Sequence, residues 1–370
     1  MNTTSVGSLV TEDGYEDDGQ PVVDQTSIEL STFISAIFMT AFCIFGVYGN
    51  VISTVIFLHP IMRSPINILL GALSLIDLLL VCLVVFVFII PAFNIFIESH
   101  YIRALYPFTL LCIYPLNMIA QSCSVWTFVL ISVERFAAVC RPLRRHKLLT
   151  CSQARLAESM IVVLAVCYNV VRFFEYEHAP SEPSGFRRLL RNNHHYYVYY
   201  YTVLYVITHF FVPFFIILIL NACILRSLRQ SNRQREKMSR KQIQQRRTSA
   251  MIITVTLMFI CCNTAPFLIG IWEALDTTLF YGSHYMKTAY ILLDISNLLI
   301  VLNSSTTAII YWIYCQKYRR MFRHFATFAC LKEDNRRRLS HINTDQFGKA
   351  LVHAHLPAAV PLLVYEPLKS

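Results

Sequence analysis

The sequence predicts an all-α membrane protein: a seven-transmembrane helix bundle followed by a short amphipathic eighth helix. Three observations lead there: an apolar composition, seven apolar stretches of spanning length, and basic residues gathered at particular junctions between them. Of 370 residues, 55 % are hydrophobic and 15 % charged. Mean hydropathy is +0.49, too apolar for an ordinary soluble domain. A spanning helix needs about 20 mainly apolar residues. The stretches that qualify run from about Phe33 to Leu58, Ile66 to Phe93, Pro107 to Val139, Ala154 to Phe174, Tyr199 to Leu225, Thr248 to Trp272 and Tyr285 to Tyr314. Glu158 and Asn169 interrupt the fourth with polar groups that are costly in hydrocarbon.

Charge gives the orientation. The net charge of +10 would suggest nucleic acid in a soluble protein, but its placement points to lipid phosphates instead. Arg144, Arg145, His146 and Lys147 follow the third span, a dense basic run from Arg226 to Arg247 joins the fifth and sixth, and Lys317, Arg319, Arg320 and Arg323 follow the seventh. The first thirty residues are acidic, with Glu12, Asp13, Glu16, Asp17, Asp18, Asp24 and Glu29. The positive-inside rule then sets the amino terminus outside a plasma-membrane protein and the tail in the cytoplasm. Arg187, Arg188 and Arg191 in the second outer loop dissent. No apolar run precedes Phe33, so the first span is expected to direct insertion itself. Asn2 begins an Asn-Thr-Thr acceptor for N-glycosylation on the outer side.

The expected organisation is an extracellular segment 1–32, a transmembrane domain 33–314, a membrane-surface helix 315–330 and a disordered cytoplasmic tail 331–370. Tyr318, Met321, Phe322 and Phe325 recur at helical spacing among basic residues, as an interfacial helix requires. Cys330 beyond it is a candidate for palmitoylation, with an unmodified thiol as the alternative. No phosphate-binding loop, catalytic constellation or metal-ligand spacing is present: His178, His194 and His195 lack supporting cysteines or acids. The chain is therefore read as a non-enzyme without cofactor.

The third span closes on Ile131-Ser132-Val133-Glu134-Arg135-Phe136, with Arg141-Pro142-Leu143 after it. An arginine at that depth is costly unless paired, so Glu134 is expected to hold Arg135 in a local ion pair; a snorkelling interfacial arginine is the bland alternative. This segment resembles the acid-Arg-aromatic signature of rhodopsin-class G-protein-coupled receptors. Gly49-Asn50-Val51 and Leu73-Ser74-Leu75-Ile76-Asp77-Leu78 resemble that class in the first and second spans. Cys262-Asn263-Thr264-Ala265-Pro266 in the sixth span, Asp294-Ile295-Ser296-Asn297 and Asn303-Ser304-Ser305 in the seventh, and Arg172-Phe173-Phe174-Glu175-Tyr176 after the fourth are together similar to invertebrate FMRFamide and myosuppressin-type neuropeptide receptors.

The resemblance implies a receptor that carries binding of an amidated peptide to a heterotrimeric G protein, with arrestin and membrane lipids as further partners and no nucleic acid. It assigns activation to Glu134, Arg135, Tyr311 and the kink at Pro266, a static kink being the alternative for the last. It implies a sodium site at Asp77, Ser124, Asn303 and Ser304; a protonated Asp77 bonded to Asn50 is the other reading. An Arg-Phe-amide terminus needs a carboxylate, polar groups for the amide and aromatic walls. Asp294 and Glu175 are the acids, Asp294 first because Glu175 can pair with Arg172. Asn297, Asn117 and Gln121 are the polar groups, and Tyr205, Phe267 and Trp272 the walls. Departures are the loss of the Trp from the usual Cys-Trp-x-Pro motif of the sixth span, Thr307 in place of Asn in the seventh, and no cysteine between Glu175 and Tyr200 to pair with Cys112. No disulfide is therefore expected. A chemosensory receptor, ligand-gated channel or small-solute transporter is the alternative class.

Overall fold

The computed structural model describes residues 25–140, 150–182, 185–190, 193–232, 240–275, 286–325 and 327. Seven helices are long and apolar enough to cross a membrane. They are α1 (Gln25–Leu58), α2 (Pro65–Ile97), α3 (His100–Cys140), α4 (Cys151–Phe174), α5 (Tyr196–Ser227), α6 (Arg240–Leu275) and α7 (Met286–Tyr314). A further helix, α8, covers 316–325. The chain clusters into one unit up to Arg319 and a second from Arg320. Asn2, Cys330 and the tail lie outside the described residues.

Local chemistry starts the helices where the sequence suggests. Ser64 caps α2 by accepting from the Asn67 backbone N–H at 3.3 Å, with Pro65 in the first turn. Thr150 and Gln153 form a reciprocal capping box at the start of α4. Several starts fall earlier than hydropathy alone predicts, that of α6 at Arg240 among them. α1 begins inside the segment read as an amino-terminal arm, α3 begins at His100 and carries Pro107 internally, and α5 begins at Tyr196. Polar or aromatic residues at helix ends lower the hydropathy signal without opposing the helix.

Four stretches are π-wound: Val85–Ile89 in α2, Thr109–Ile113 in α3, and Tyr196–Leu204 and Ile207–Phe211 in α5. All lie in the half of the bundle that carries the cavity described below, and wide turns of this kind gather at functional sites.

α3 packs against α2, α4 and α5, while α7 packs against α1, α2 and α6. The α1–α7 contact depends on two glycines. A Cβ on Gly46 would lie 2.5 Å from Ser305 Oγ, and one on Gly49 would lie 2.7 Å from the Ala308 Cβ. Backbones approach this closely only where side chains are missing. Gly49→Val should therefore overpack the seam and lower stability by about 1–3 kcal/mol. Thermal unfolding of purified protein checks this, and an unchanged midpoint would refute the tight seam.

Between α4 and α5 lies an antiparallel hairpin of β1 (Tyr176–His178) and β2 (Phe186–Arg188), in register Tyr176 with Arg188, Glu177 with Arg187 and His178 with Phe186. Gly185 adopts φ +75°, where a side chain is strained, and a Cβ there would sit 2.9 Å from Pro107 Cγ. Buried Phe186 meets Tyr176 at 5.5 Å and Tyr106 of α3 at 6.0 Å between ring centroids. Aromatic packing seats the hairpin on α3, and Cys112 nearby is a free thiol. Phe186→Ala should loosen this seat, read as faster amide exchange in 176–188 with little change in α1 or α7.

Candidate functional site

A cavity of about 380 Å³ lies in the hairpin half of the bundle, bounded by α2, α3, α4, α5, α6 and α7. Its size suits the end of a peptide rather than the whole of one. The expected residues Asn117, Gln121, Tyr205, Phe267 and Asn297 line it, as does Pro266. Helical spacing explains the grouping. Asn117 and Gln121 share one face of α3, and Leu293, Ser296, Asn297, Ile300 and Val301 share one face of α7. Phe267 closes the α5–α6 side, stacked on Phe210 with centroids 3.5 Å apart.

Three expected residues stand off the lining. Asp294 lies at the edge of the α7 face, where its Oδ2 accepts from Thr32 Oγ1 of α1 at 2.9 Å. Trp272 packs with Ile269, Ala289, Leu292 and Leu293 between α6 and α7. Glu175 is fully buried and bound to Arg172, Nη1 to Oε1 at 3.2 Å. The Tyr196 hydroxyl donates to the same oxygen at 2.7 Å.

Arg172 lines the cavity, a role that the sequence does not disclose because a cation at a span end reads as interfacial. It is 1 % exposed. Its Nε donates to Asn169 Oδ1 at 3.2 Å and its Nη1 to the Tyr114 hydroxyl at 3.4 Å. Tyr200, Tyr201 and Tyr205 surround the guanidinium at 5.7, 5.2 and 5.7 Å from their ring centroids, within cation–π range. Asn169 continues inward by donating to Ser122 Oγ at 2.8 Å, and Ser122 meets His209 Nε2 at 2.7 Å. The two polar residues that interrupt the fourth span both bind α3, since Glu158 accepts from Thr127 at 2.7 Å.

Deeper in the bundle, Ser124 donates to Asp77 Oδ1 at 2.9 Å, and Asp77 is 2 % exposed. Asn50 faces α7 instead of Asp77: its amide donates to the Ser304 carbonyl at 2.9 Å and its Oδ1 accepts from Thr307 at 3.3 Å. Thr307, where the resembled receptors carry Asn, thus ties α7 to α1.

At the far end of α3, Glu134 and Arg135 are both buried, and Arg135 Nε donates to the Glu134 carboxylate. Tyr311 is fully buried against Phe57, centroids 5.0 Å apart. Tyr318 shares a hydrogen bond of 2.9 Å with Ser53. Two neutral bonds hold α6 here: Thr254 Oγ1 donates to the Tyr314 hydroxyl at 2.9 Å, and Asn221 donates to Thr256 Oγ1 at 3.1 Å.

Residues 49–326 match the model of the 7 transmembrane receptor (rhodopsin family). The chain belongs to the rhodopsin family of seven-transmembrane receptors. It is a multi-pass membrane protein of a receptor family, not an enzyme. Among relatives of this rhodopsin-family chain is the FMRFamide peptide receptor frpr-18 of Caenorhabditis elegans, 38 % identical over 280 residues, 74 % of this chain and 65 % of the relative. Another is the FMRFamide receptor of Drosophila melanogaster, 30 % identical over 317 residues, 83 % of this chain and 56 % of the relative. The matched region spans less than two thirds of either relative's own length.

Proposed function

We propose that this rhodopsin-family chain is a plasma-membrane receptor for an amidated, FMRFamide-like neuropeptide, with its amino terminus and hairpin outside and a heterotrimeric G protein inside. The observation that carries the reading is the 38 % identity to a receptor named for FMRFamide peptides. The cavity agrees with it, because aromatic walls and the carboxamides of Asn117, Gln121, Asn263 and Asn297 suit a Phe-amide terminus. Chemosensory, channel and transporter readings are not favoured, since the family model and both relatives are receptors.

In this reading the peptide and the G protein both prefer a state with α6 displaced about Pro266, and each raises the affinity for the other. Arg135 then leaves Glu134 to meet the G protein, with Tyr311 beside it and arrestin as a later partner. Asp77 and Ser124, with Asn303 and Ser304 on α7, form an oxygen donor set suited to a hard cation such as sodium. Asn2 is the glycan site and Cys330 the lipid-anchored thiol, with the segment ahead of α1 outside and the tail inside.

Screening amidated peptides on cells that express the chain tests the reading. Arg-Phe-amide peptides should activate it, and silence to them with a response to an amine or a volatile would refute it. Thr254→Val should raise ligand-free signalling about threefold to tenfold, the effect of one neutral hydrogen bond lost from the closed state. An unchanged basal rate at equal surface expression would remove that bond from the switch.

A further inference from the structure

We propose that Arg172 is an internal stand-in for the guanidinium of the incoming peptide. It holds Glu175 in the ligand-free bundle, and the arginine of the peptide takes its place there. This rests on the peptide reading above and names the acid that reads the arginine.

The Arg172–Glu175 pair is half made. A carboxylate can receive a guanidinium on both oxygens. Here Nη1 of Arg172 and the Tyr196 hydroxyl converge on Oε1, at 3.2 and 2.7 Å. Oε2 is buried and has no hydrogen-bond partner among the described residues. Both side chains are almost completely buried, in surroundings where an unmade bond is most costly. The site thus keeps acceptor capacity for one more donor, and its chemistry selects a forked cation over a point charge.

The cavity meets this carboxylate through Arg172, because Arg172 lines the cavity and Glu175 does not. A guanidinium arriving from the cavity would meet Tyr201 and Tyr205, two of the rings that surround Arg172. Asp294 stands off the cavity lining, its Oδ2 turned to Thr32 on the α1 side. Exchange at Glu175 also has a path into the bundle. Withdrawing Arg172 removes its bond to Asn169, which holds Ser122 of α3, which holds His209 of α5. Peptide binding would thereby loosen the α3–α4–α5 junction.

The experiment compares a peptide ending in Arg-Phe-amide with its citrulline counterpart on surface-expressed receptor. The wild-type chain should bind the arginine peptide about tenfold to hundredfold more tightly, the fold-change of one charge-assisted hydrogen-bond set. The double variant Arg172→Met/Glu175→Met replaces the buried pair by apolar side chains, a change that folds commonly tolerate. Its preference should fall to within about threefold. A preference that persists in the double variant overturns the proposal, because the guanidinium is then read elsewhere. Arg172→Gln removes the internal competitor, so its affinity for the arginine peptide should rise about tenfold. A fall at normal surface expression overturns the proposal, and if this variant is not expressed the double variant decides alone. If neither peptide binds the wild-type chain, the peptide reading itself fails. Thermal unfolding of purified wild-type protein with N-acetyl-argininamide or N-acetyl-citrullinamide then decides the site: a larger shift with the arginine derivative, lost in the double variant, supports it, and equal shifts overturn it.

Discussion

In the proposed receptor, Arg135→Met should lower peptide-driven G-protein activation by about thirtyfold or more while peptide affinity in membranes without G protein changes less than about threefold. The first figure follows from truncating a buried charge that makes hydrogen bonds, which costs about 2–5 kcal/mol in a complex. The second follows from place: Arg135 lies beside Glu134 towards the far end of α3, whereas the cavity contacts α3 at Tyr114, Asn117, Met118, Gln121 and Val125. Nucleotide exchange on a reconstituted G protein, with radioligand binding on the same membranes, separates the two. Equal losses in both would mean that Arg135 supports the fold rather than the coupling. The companion variant Glu134→Gln keeps the shape and removes the counter-charge. It should raise ligand-free exchange, since the resting partner of the guanidinium is weakened.

The second large effect concerns stability. Glu175→Leu leaves Arg172 charged and almost wholly enclosed, with its bonds to Asn169 and Tyr114 and three tyrosine rings as neutral compensation. Breaking a buried pair from one side costs about 3–5 kcal/mol, whereas replacing both partners is often neutral. Glu175→Leu should therefore collapse surface expression and the unfolding midpoint, and adding Arg172→Met should restore most of both. The pair forms a double-mutant cycle with large coupling. Additive losses would show that Glu175 is held by something other than Arg172.

The bundle was legible because lipid imposes a strong rule: apolar length and flanking charge announce each crossing. The ion pair at Glu134 and Arg135 was legible too, because an arginine at that depth in lipid requires an acid within reach. The side-chain assignments depend instead on which helix faces which. Asp294 and Asn297 are one turn apart and look equivalent in sequence, yet the first meets Thr32 of α1 and the second lines the cavity. Arg172 and Glu175 read as a local pair from their spacing, but the ring of Tyr114, Tyr200, Tyr201 and Tyr205 that surrounds Arg172 at the cavity wall comes from two other helices. Glu158 and Asn169 weakened the fourth span for the same reason, since Thr127 and Ser122 satisfy them from across an interface.

The wide winding of α5 over Tyr196–Leu204 and Ile207–Phe211 has one more consequence. A helix that holds surplus residues in loose coils can tighten without unravelling. Shedding a single residue turns everything beyond it by roughly 100° and shortens the rod by less than one coil. Tyr200, Tyr201 and Tyr205 would then swing off Arg172 together. The outer part of α5 would then serve as slack rope for an arriving guest to take up.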